Sequence, residues 1–183
     1  MAGRPRNFDR DVALDAFVDV FWTHGYAGAD VDKLQESAGI LRGSFYRAFR
    51  DKPHAFIEAF GRYLEQILLP RLTMLDRSDP GALPDFIRTV GDFVSAQGSR
   101  GCLFSETLLN VSVLDRDVQK HVLRARGQLL RKLKKLARGD AGLANFVFAS
   151  ALGLHGLARS GATKSEIRLA ANEAGAAIAE RIA

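Results

Sequence analysis

Apolar positions recur at helical spacing along most of the chain. In residues 9–24 they lie three or four positions apart, and Gly25 ends this run. Comparable stripes follow in several further segments: 51–75, 83–97, 103–111, 115–138, 143–159 and 165–182. No segment shows the alternation of apolar and polar residues that is typical of a half-buried strand. The pattern therefore predicts an all-α fold of about nine helices.

Residues 30–49 indicate two short helices joined by a tight turn. Asp30 can cap the first helix by accepting backbone N–H bonds, and Gly39 allows the left-handed conformation that ends it. The second helix is expected to begin near Leu41. A helical wheel divides its residues into a packing side and an exposed side: Leu41, Phe45, Ala48 and Phe49 against Arg42, Gly43, Tyr46, Arg47 and Arg50.

The exposed side suits a DNA major groove, because arginines and a tyrosine hydroxyl can reach base edges and phosphates. The arrangement predicts a helix–turn–helix motif. By itself a helix–glycine–helix corner is a weak signal, since such corners are common in all-helical proteins.

Several motifs occur together in residues 8–60. They are a Phe–x–x–x–Gly–Tyr turn from Phe21 to Tyr26, the Ala38–Gly39 helix turn, the Tyr46 and Phe49 pair, and Lys52 before the next helix. Together they resemble the DNA-binding domain of the TetR family of bacterial transcriptional regulators. The sequence departs from the family pattern at Asp30–Val31, where Thr or Ser is usual, and at Pro53, where Glu or Asp is usual.

The resemblance implies two domains and a mechanism. Residues 1–52 would form a three-helix DNA-binding domain, and residues 53–183 a helical domain for ligand binding and dimerisation. The protein would be a homodimer through its last two helices and would bind double-stranded DNA at a palindromic operator. It would act as a repressor that a small-molecule or electrophile inducer releases.

Within this interpretation, specific residues take specific roles. Bases would be read by Arg42, Gly43 and Ser44. Phosphates would be held by Tyr46, Arg47 and Lys52, and by Arg4 and Arg6 in a basic N-terminal arm. The apolar stripes suggest a set of ligand contacts: Phe60, Tyr63, Phe93, Cys102, Phe104 and His155.

Two of these ligand candidates have alternative interpretations. The Arg100–Leu103 segment resembles a Gly–Cys–Leu subset of the family, in some members of which a cysteine senses electrophiles or oxidants. Cys102 could be such a thiol at a helix N-terminus, or a buried small hydrophobic residue. His155 could line a pocket or be a hydrogen-bonded core histidine.

The charge distribution adds an expected orientation. The formal net charge is +5, but residues 1–53 hold eight basic and eight acidic side chains. Asp11, Asp15 and Asp19 share one face of the first helix, and we expect this face to point outward, away from DNA. The basic run Arg124–Arg138 is a rival nucleic-acid site or a solvated helix face.

Other functional classes find little support. The four histidines and the single cysteine lack metal-ligand spacing, and no catalytic motif occurs, so neither an enzyme nor a cofactor is predicted. A partial phosphate-loop match at residues 156–165 is better explained as a helix stop with Ser165 as the next cap. The absence of an export signal or spanning segment and the lone cysteine favour the cytoplasm. A helical small-molecule-binding or interaction protein without specific operator binding remains the alternative.

Overall fold

A computed structural model describes residues 8–183, so Arg4 and Arg6 lie outside the described residues. This part of the chain is 84% helical and contains no strands. It forms nine α-helices, as predicted. They are α1 (Arg10–Gly28), α2 (Val31–Ala38), α3 (Arg42–Phe49), α4 (Lys52–Tyr63), α5 (Ala82–Gln97), α6 (Leu103–Leu109), α7 (Arg116–Leu136), α8 (Ala141–Arg159) and α9 (Lys164–Ile182).

The caps of the helix–turn–helix follow the sequence signals. The Asp30 side chain accepts a hydrogen bond from the backbone N–H of Lys33 at the start of α2. Gly39 then adopts a left-handed conformation, with φ 62° and ψ 32°, which ends α2 within one residue. Both predicted signals are confirmed.

An aromatic cluster joins α1 to α3. The ring of Phe17 lies 4.8 Å from that of Phe49 and 5.8 Å from that of Phe45, and all three side chains are buried. The prediction that Leu41 packs with them was wrong, because Leu41 is 79% exposed. Its backbone is extended, with φ −77° and ψ 151°, so it precedes the helix and the helical wheel does not apply to it.

The predicted long helix over residues 51–75 is interrupted. Its α-helical part ends at Tyr63 and continues as a π-helical turn (Leu64–Leu68) and a 3-10 segment (Leu69–Asp76). Pro70 lacks the N–H that would bond to the preceding turn, so regular α geometry cannot pass through it. The departure from regular geometry begins at Leu64, upstream of the proline.

Helix α9 packs along α5 within the chain. A Cβ atom placed on Gly91 would lie only 2.4 Å from the Cβ of Ala171, so small residues allow these two helices a close approach. The prediction that Ser165 caps α9 was wrong. Thr163 is the N-cap and forms a capping box with Glu166, whose carboxylate accepts the Thr163 backbone N–H.

Helix α8 is long and apolar enough to cross a membrane by length and composition alone. Of its most apolar window, 44% is buried inside the protein, and core helices meet the same criterion.

Candidate DNA-binding surface and effector cavity

The outward face of α3 carries most of the predicted DNA contacts. Arg42, Gly43, Tyr46 and Arg47 are exposed, and Ser44 is half-buried. A Cβ on Gly43 would meet nothing within 4 Å, so the backbone there is open to a close approach. No other part of the described chain therefore covers this position of the helix.

Arg42 is held by its own neighbours rather than extended into solvent. Its Nη1 lies 3.2 Å from Asp32 Oδ1, and its guanidinium lies 5.4 Å from the centre of the Tyr46 ring. Both groups of this ion pair are well exposed, so the pair is weak and can exchange for a contact to DNA.

Lys52, at the start of α4, is half-buried beside Tyr26 of α1 and near Asp115, the residue before α7. Its Nζ lies 4.4 Å from the centre of the Tyr26 ring, and the Tyr26 hydroxyl donates a hydrogen bond to Asp115. Burial lowers the pKa of Lys52, although the nearby Asp115 carboxylate opposes that effect. This cluster connects the end of α1, the start of α4 and the start of α7.

The acidic face of α1 is exposed but ion-paired. Arg62 on α4 approaches Asp15 at 2.5 Å and Asp11 at 3.1 Å, and Arg100 approaches Asp19 at 2.5 Å. The hydrogen bond from Arg62 holds the pKa of Asp15 below its usual value. The acids thus connect α1 to α4 and to the loop between α5 and α6, a role that charge segregation alone did not suggest.

Helix α1 also contacts the loop between α5 and α6. The indole Nε1 of Trp22 donates a buried hydrogen bond of 3.1 Å to the carbonyl of Gly101. The guanidinium of Arg100 covers the same indole at 4.2 Å, and the ring of Tyr63 meets it edge-on at 5.0 Å. Helix α1 is therefore connected to the residues immediately before Cys102.

The part of the protein formed by α4 to α9 contains a cavity of about 460 Å³, which we call the effector cavity. It lies between the interrupted end of α4 and the outer face of α7. Its lining consists of Leu64, Leu68, Leu69, Leu72, Leu75, Phe104, Ala125, Gln128, Leu129, Arg131 and Lys132. This volume lies within the range of pockets that hold small organic molecules.

A smaller space of about 30 Å³ lies behind the effector cavity. The two share Leu68, Leu72, Phe104 and Leu129, and the smaller space also contacts Phe93 and Cys102. It is large enough for about one water molecule. A ligand in the effector cavity would therefore reach Cys102 only if the shared wall moved.

The predicted ligand residues separate into two groups. Phe104 lines both spaces, and Phe93 and Cys102 line the smaller one. Phe60 and Tyr63 are buried side chains that line neither space. The Tyr63 hydroxyl instead lies 3.2 Å from Cys102 Sγ, and burial raises the pKa of this tyrosine.

His155 also lines neither space and has partners for both ring nitrogens. The backbone N–H of Cys102 donates to His155 Nδ1 at 3.0 Å, and Nε2 lies 3.3 Å from Glu106 Oε2. Burial lowers the pKa of His155, which favours a neutral ring that carries its proton on Nε2. The geometry matches the core-histidine interpretation.

The sequence analysis did not predict most of the residues that line the effector cavity. Five of its six lining leucines lie within residues 51–75, where the apolar pattern predicted one long helix: Leu64, Leu68, Leu69, Leu72 and Leu75. Pro70 was the available signal, because it predicts that the backbone leaves regular geometry beside an apolar stripe.

The sequence and the structure are both similar to known regulators. The family described as "Bacterial regulatory proteins, tetR family" matches residues 13–59. The HTH-type transcriptional repressor ComR of Escherichia coli (strain K12) is 26% identical, over 90% of this chain and 86% of its own length. The uncharacterized HTH-type transcriptional regulator YezE of Bacillus subtilis (strain 168) is 30% identical, over 48% of this chain and 44% of its own length.

A solved structure shows the same overall arrangement. It is a cysteine mutant of the TetR family transcriptional regulator CifR, complexed with 26-bp double-strand operator DNA. The similarity has a TM-score of 0.81 at 29% identity and covers 95% of this chain and 99% of that chain.

Proposed function

We propose that this chain is a DNA-binding transcriptional regulator of the TetR family, and that it acts as a homodimeric repressor whose palindromic operator is released by a small-molecule inducer. The observation that carries the proposal is the outward face of α3, where two arginines and a tyrosine surround an open glycine backbone. CifR, whose structure is similar, is complexed with double-strand operator DNA, which supports DNA binding by this chain.

The contacts divide by position on α3. Arg42, Gly43 and Ser44 stand in its first turn, where a recognition helix meets base edges, and they are the proposed base readers. The exposed Leu41 at the N-cap adds an apolar group that suits the C5-methyl group of thymine. Tyr46 and Arg47, together with Lys52 and the Arg4 and Arg6 arm, are the proposed phosphate contacts.

Dimerisation is proposed through α8 and α9. Phe146 and Leu157 are 40% and 37% exposed on the outer face of α8, and Leu169 on α9 is 62% exposed. Between them α8 exposes Gly153 and Gly156, which would allow a partner helix to approach closely. A symmetric dimer would present two α3 helices to two half-sites of a palindrome.

Release requires the effector cavity and α3 to influence each other. The wall of the cavity is the continuation of α4, and α4 carries Arg62, which holds the acidic face of α1. A ligand that moves this wall would shift α1, and the α3 packed on it, relative to the partner subunit. Such coupling is reciprocal, so inducer and operator must weaken each other by the same factor.

Electrophile sensing at Cys102 is a second candidate for the inducing event. Cys102 is 5% exposed, lies beside the wall shared by the two spaces, and is followed by α6. Its neighbour Tyr63 packs on Trp22 of α1, so a bulky adduct on the thiol would press on a junction between the regions. Loss of DNA affinity after treatment with N-ethylmaleimide, with a resistant Cys102→Ser variant, would support this route; a matching loss in both proteins would exclude it.

The proposal is tested by fluorescence anisotropy on the DNA upstream of the protein's own coding region, with a shuffled duplex of equal composition as reference. We expect Arg42→Ala to lose roughly 5- to 150-fold of the preference for the natural sequence. Lys52→Gln should weaken both duplexes alike and reduce the salt slope by about 1. Arg124→Gln, on the exposed side of α7, is the matched control and should change neither.

Each outcome separates the hypotheses. A wild-type protein that binds both duplexes equally would favour the alternative, a helical small-molecule-binding or interaction protein. Equal losses on both duplexes for Arg42→Ala would refute the division between base readers and phosphate contacts. A cytoplasmic location is part of the proposal, since the target is DNA.

A further inference from the structure

The side chains that line the effector cavity include no acid. Its polar members are Gln128, Arg131 and Lys132, all on α7, and the rest are apolar. Lys132 is already paired with Asp76, at 2.5 Å. Arg131, in contrast, has no carboxylate within ion-pair distance among residues 8–183. The mouth of the cavity therefore offers one guanidinium without a partner in the described chain.

The surroundings of Arg131 strengthen its positive potential. From Arg124 to Arg138 the chain carries seven basic residues and no acidic one, and all seven are exposed. A low-dielectric wall beside a group of like charges concentrates the field at the cavity mouth. The positive charge therefore favours an anionic group at one end of a ligand, and the apolar lining favours a hydrocarbon body at the other end.

We propose that the effector cavity binds an amphipathic organic anion, with a carboxylate at Arg131 and a hydrocarbon body against the leucines between α4 and α7. This inference rests on the proposed function and names the chemical class of its inducer. A guanidinium binds a carboxylate through two parallel hydrogen bonds, which fixes the orientation of the ligand. Each methylene buried among the leucines should tighten binding by about fourfold.

The position of the cavity explains how such a ligand would act. Its hydrocarbon body would lie against the π-helical turn Leu64–Leu68 and the 3-10 segment beyond it, whereas its headgroup would be fixed to α7. The wall opposite the headgroup lacks regular α-helical hydrogen bonds and is continuous with α4. A ligand that spans the two would set the distance between α4 and α7.

Isothermal titration calorimetry with n-decanoate, 1-decanol and decyltrimethylammonium tests the proposal on the full-length protein. We expect decanoate to bind at least about tenfold more tightly than decanol, and the cation to bind least. Octanoate, shorter by two methylenes, should bind roughly 15-fold more weakly than decanoate. Equal affinity for the three headgroups, or no binding of decanoate, would overturn the proposal.

Two variants locate the headgroup and the body. Arg131→Gln should remove the preference of decanoate over decanol and leave the binding of decanol unchanged. Lys135→Gln is the matched control, because it removes the same charge from an exposed position on α7 that does not line the cavity. Ala125→Leu fills the cavity from α7 and should weaken decanoate and decanol together. If Lys135→Gln and Arg131→Gln reduced the preference for decanoate over decanol equally, the preference would come from the overall positive potential of α7 and not from a site at Arg131.

The same proteins distinguish a failure of this inference from a failure of the proposed function. DNA preference in the ligand-free protein depends on α3 and not on Arg131. Operator preference without decanoate binding would refute only the ligand class. Decanoate binding that depends on Arg131, in a protein without operator preference, would refute only the regulator proposal.

Discussion

The region proposed to bind DNA, α1 to α3, and the region proposed to bind an effector, α4 to α9, fill their interiors differently. In the first region the rings of Phe17, Phe45 and Phe49 occupy the space between helices, and the functional side chains lie on the outside. In the second a cavity of about 460 Å³ remains beside a helix that leaves α geometry. The difference suggests that a surface that reads DNA needs a rigid support, whereas an effector site needs an incompletely filled interior with a wall that can move.

The two regions meet where α1 packs on α4, with the rings of Phe21 and Phe56 4.8 Å apart, and at several polar contacts. Trp22 is bonded to the Gly101 carbonyl, and Arg62 holds Asp11 and Asp15. If the regions are coupled, substitutions at these contacts should affect both stability and the response to a ligand. Four experiments follow, from the largest expected effect to the smallest, and three of them include a control or partner substitution.

Gly101→Ala should be the most damaging change at the junction. Gly101 has φ 58° and ψ −132°, and a Cβ there would lie 2.5 Å from His155 Nδ1. We expect a loss of about 2 to 6 kcal/mol in the free energy of unfolding, from backbone strain and collision together. Urea denaturation followed by circular dichroism measures it.

Gly98→Ala is the matched control for this collision. Gly98 has nearly the same backbone angles, φ 58° and ψ −140°, but a Cβ there would meet nothing within 4 Å. It should lose only the strain, about 1 to 3 kcal/mol. Equal losses at Gly98 and Gly101 would show that the surroundings of His155 accommodate the added Cβ, so that the collision adds nothing to the backbone strain.

Trp22→Phe tests whether the junction carries the coupling. The change leaves the buried carbonyl of Gly101 without its donor, which should lower the free energy of unfolding by about 1 to 3 kcal/mol. It should also reduce the factor by which a ligand weakens DNA binding, measured by anisotropy with and without decanoate. An unchanged factor in a destabilised protein would place the coupling elsewhere, for example in the Lys52, Tyr26 and Asp115 cluster.

Thr163→Ala tests how the last helix begins. Thr163 accepts the Glu166 backbone N–H, so its loss should lower the free energy of unfolding by about 1 kcal/mol. Ser165→Ala, two residues later inside α9, should change it little. The opposite ranking in thermal melts would restore the original prediction that Ser165 is the cap.

The Arg62 and Asp15 pair should give the smallest effect. A double-mutant cycle with Arg62→Gln and Asp15→Asn should yield a coupling of about 0.2 to 1 kcal/mol, since the Asp15 side chain is 58% exposed. The pKa of Asp15 is lowered in the folded protein, so the pair stabilises the fold above the unfolded pKa, near pH 4. As the pH falls through the lower, folded pKa, the stabilisation should disappear. A coupling that persists in full at pH 2 would contradict an ionic contact.

The sequence predicts the DNA-binding region well because its signals are local. Asp30 and Gly39 fix the ends of α2 through bonds to their own neighbours, and the aromatic spacing of α3 identifies its buried side. The error at Leu41 arose where a helical wheel was extended one residue beyond the helix. The fold class, the helix count and the regulator function were predicted from these signals and from the family resemblance.

The effector region depends on contacts between segments that are distant in sequence. Whether Leu72 lines a cavity depends on how far α7 stands from it, and no local pattern reports that distance. His155 illustrates the same limit, since its partners Cys102 and Glu106 are about fifty residues away. Apolar stripes therefore identify which residues are buried, but not which of them border an unfilled space.

The most direct test of the central claim is a DNase I footprint of the purified protein on the DNA upstream of its own coding region. The account predicts one protected site with two-fold symmetry, whose half-sites lie about one helical turn or a multiple apart, and the loss of that protection in Arg42→Ala. Uniform protection that ignores sequence, or a footprint that Arg42→Ala leaves intact, would contradict the assignment of α3 as the recognition helix.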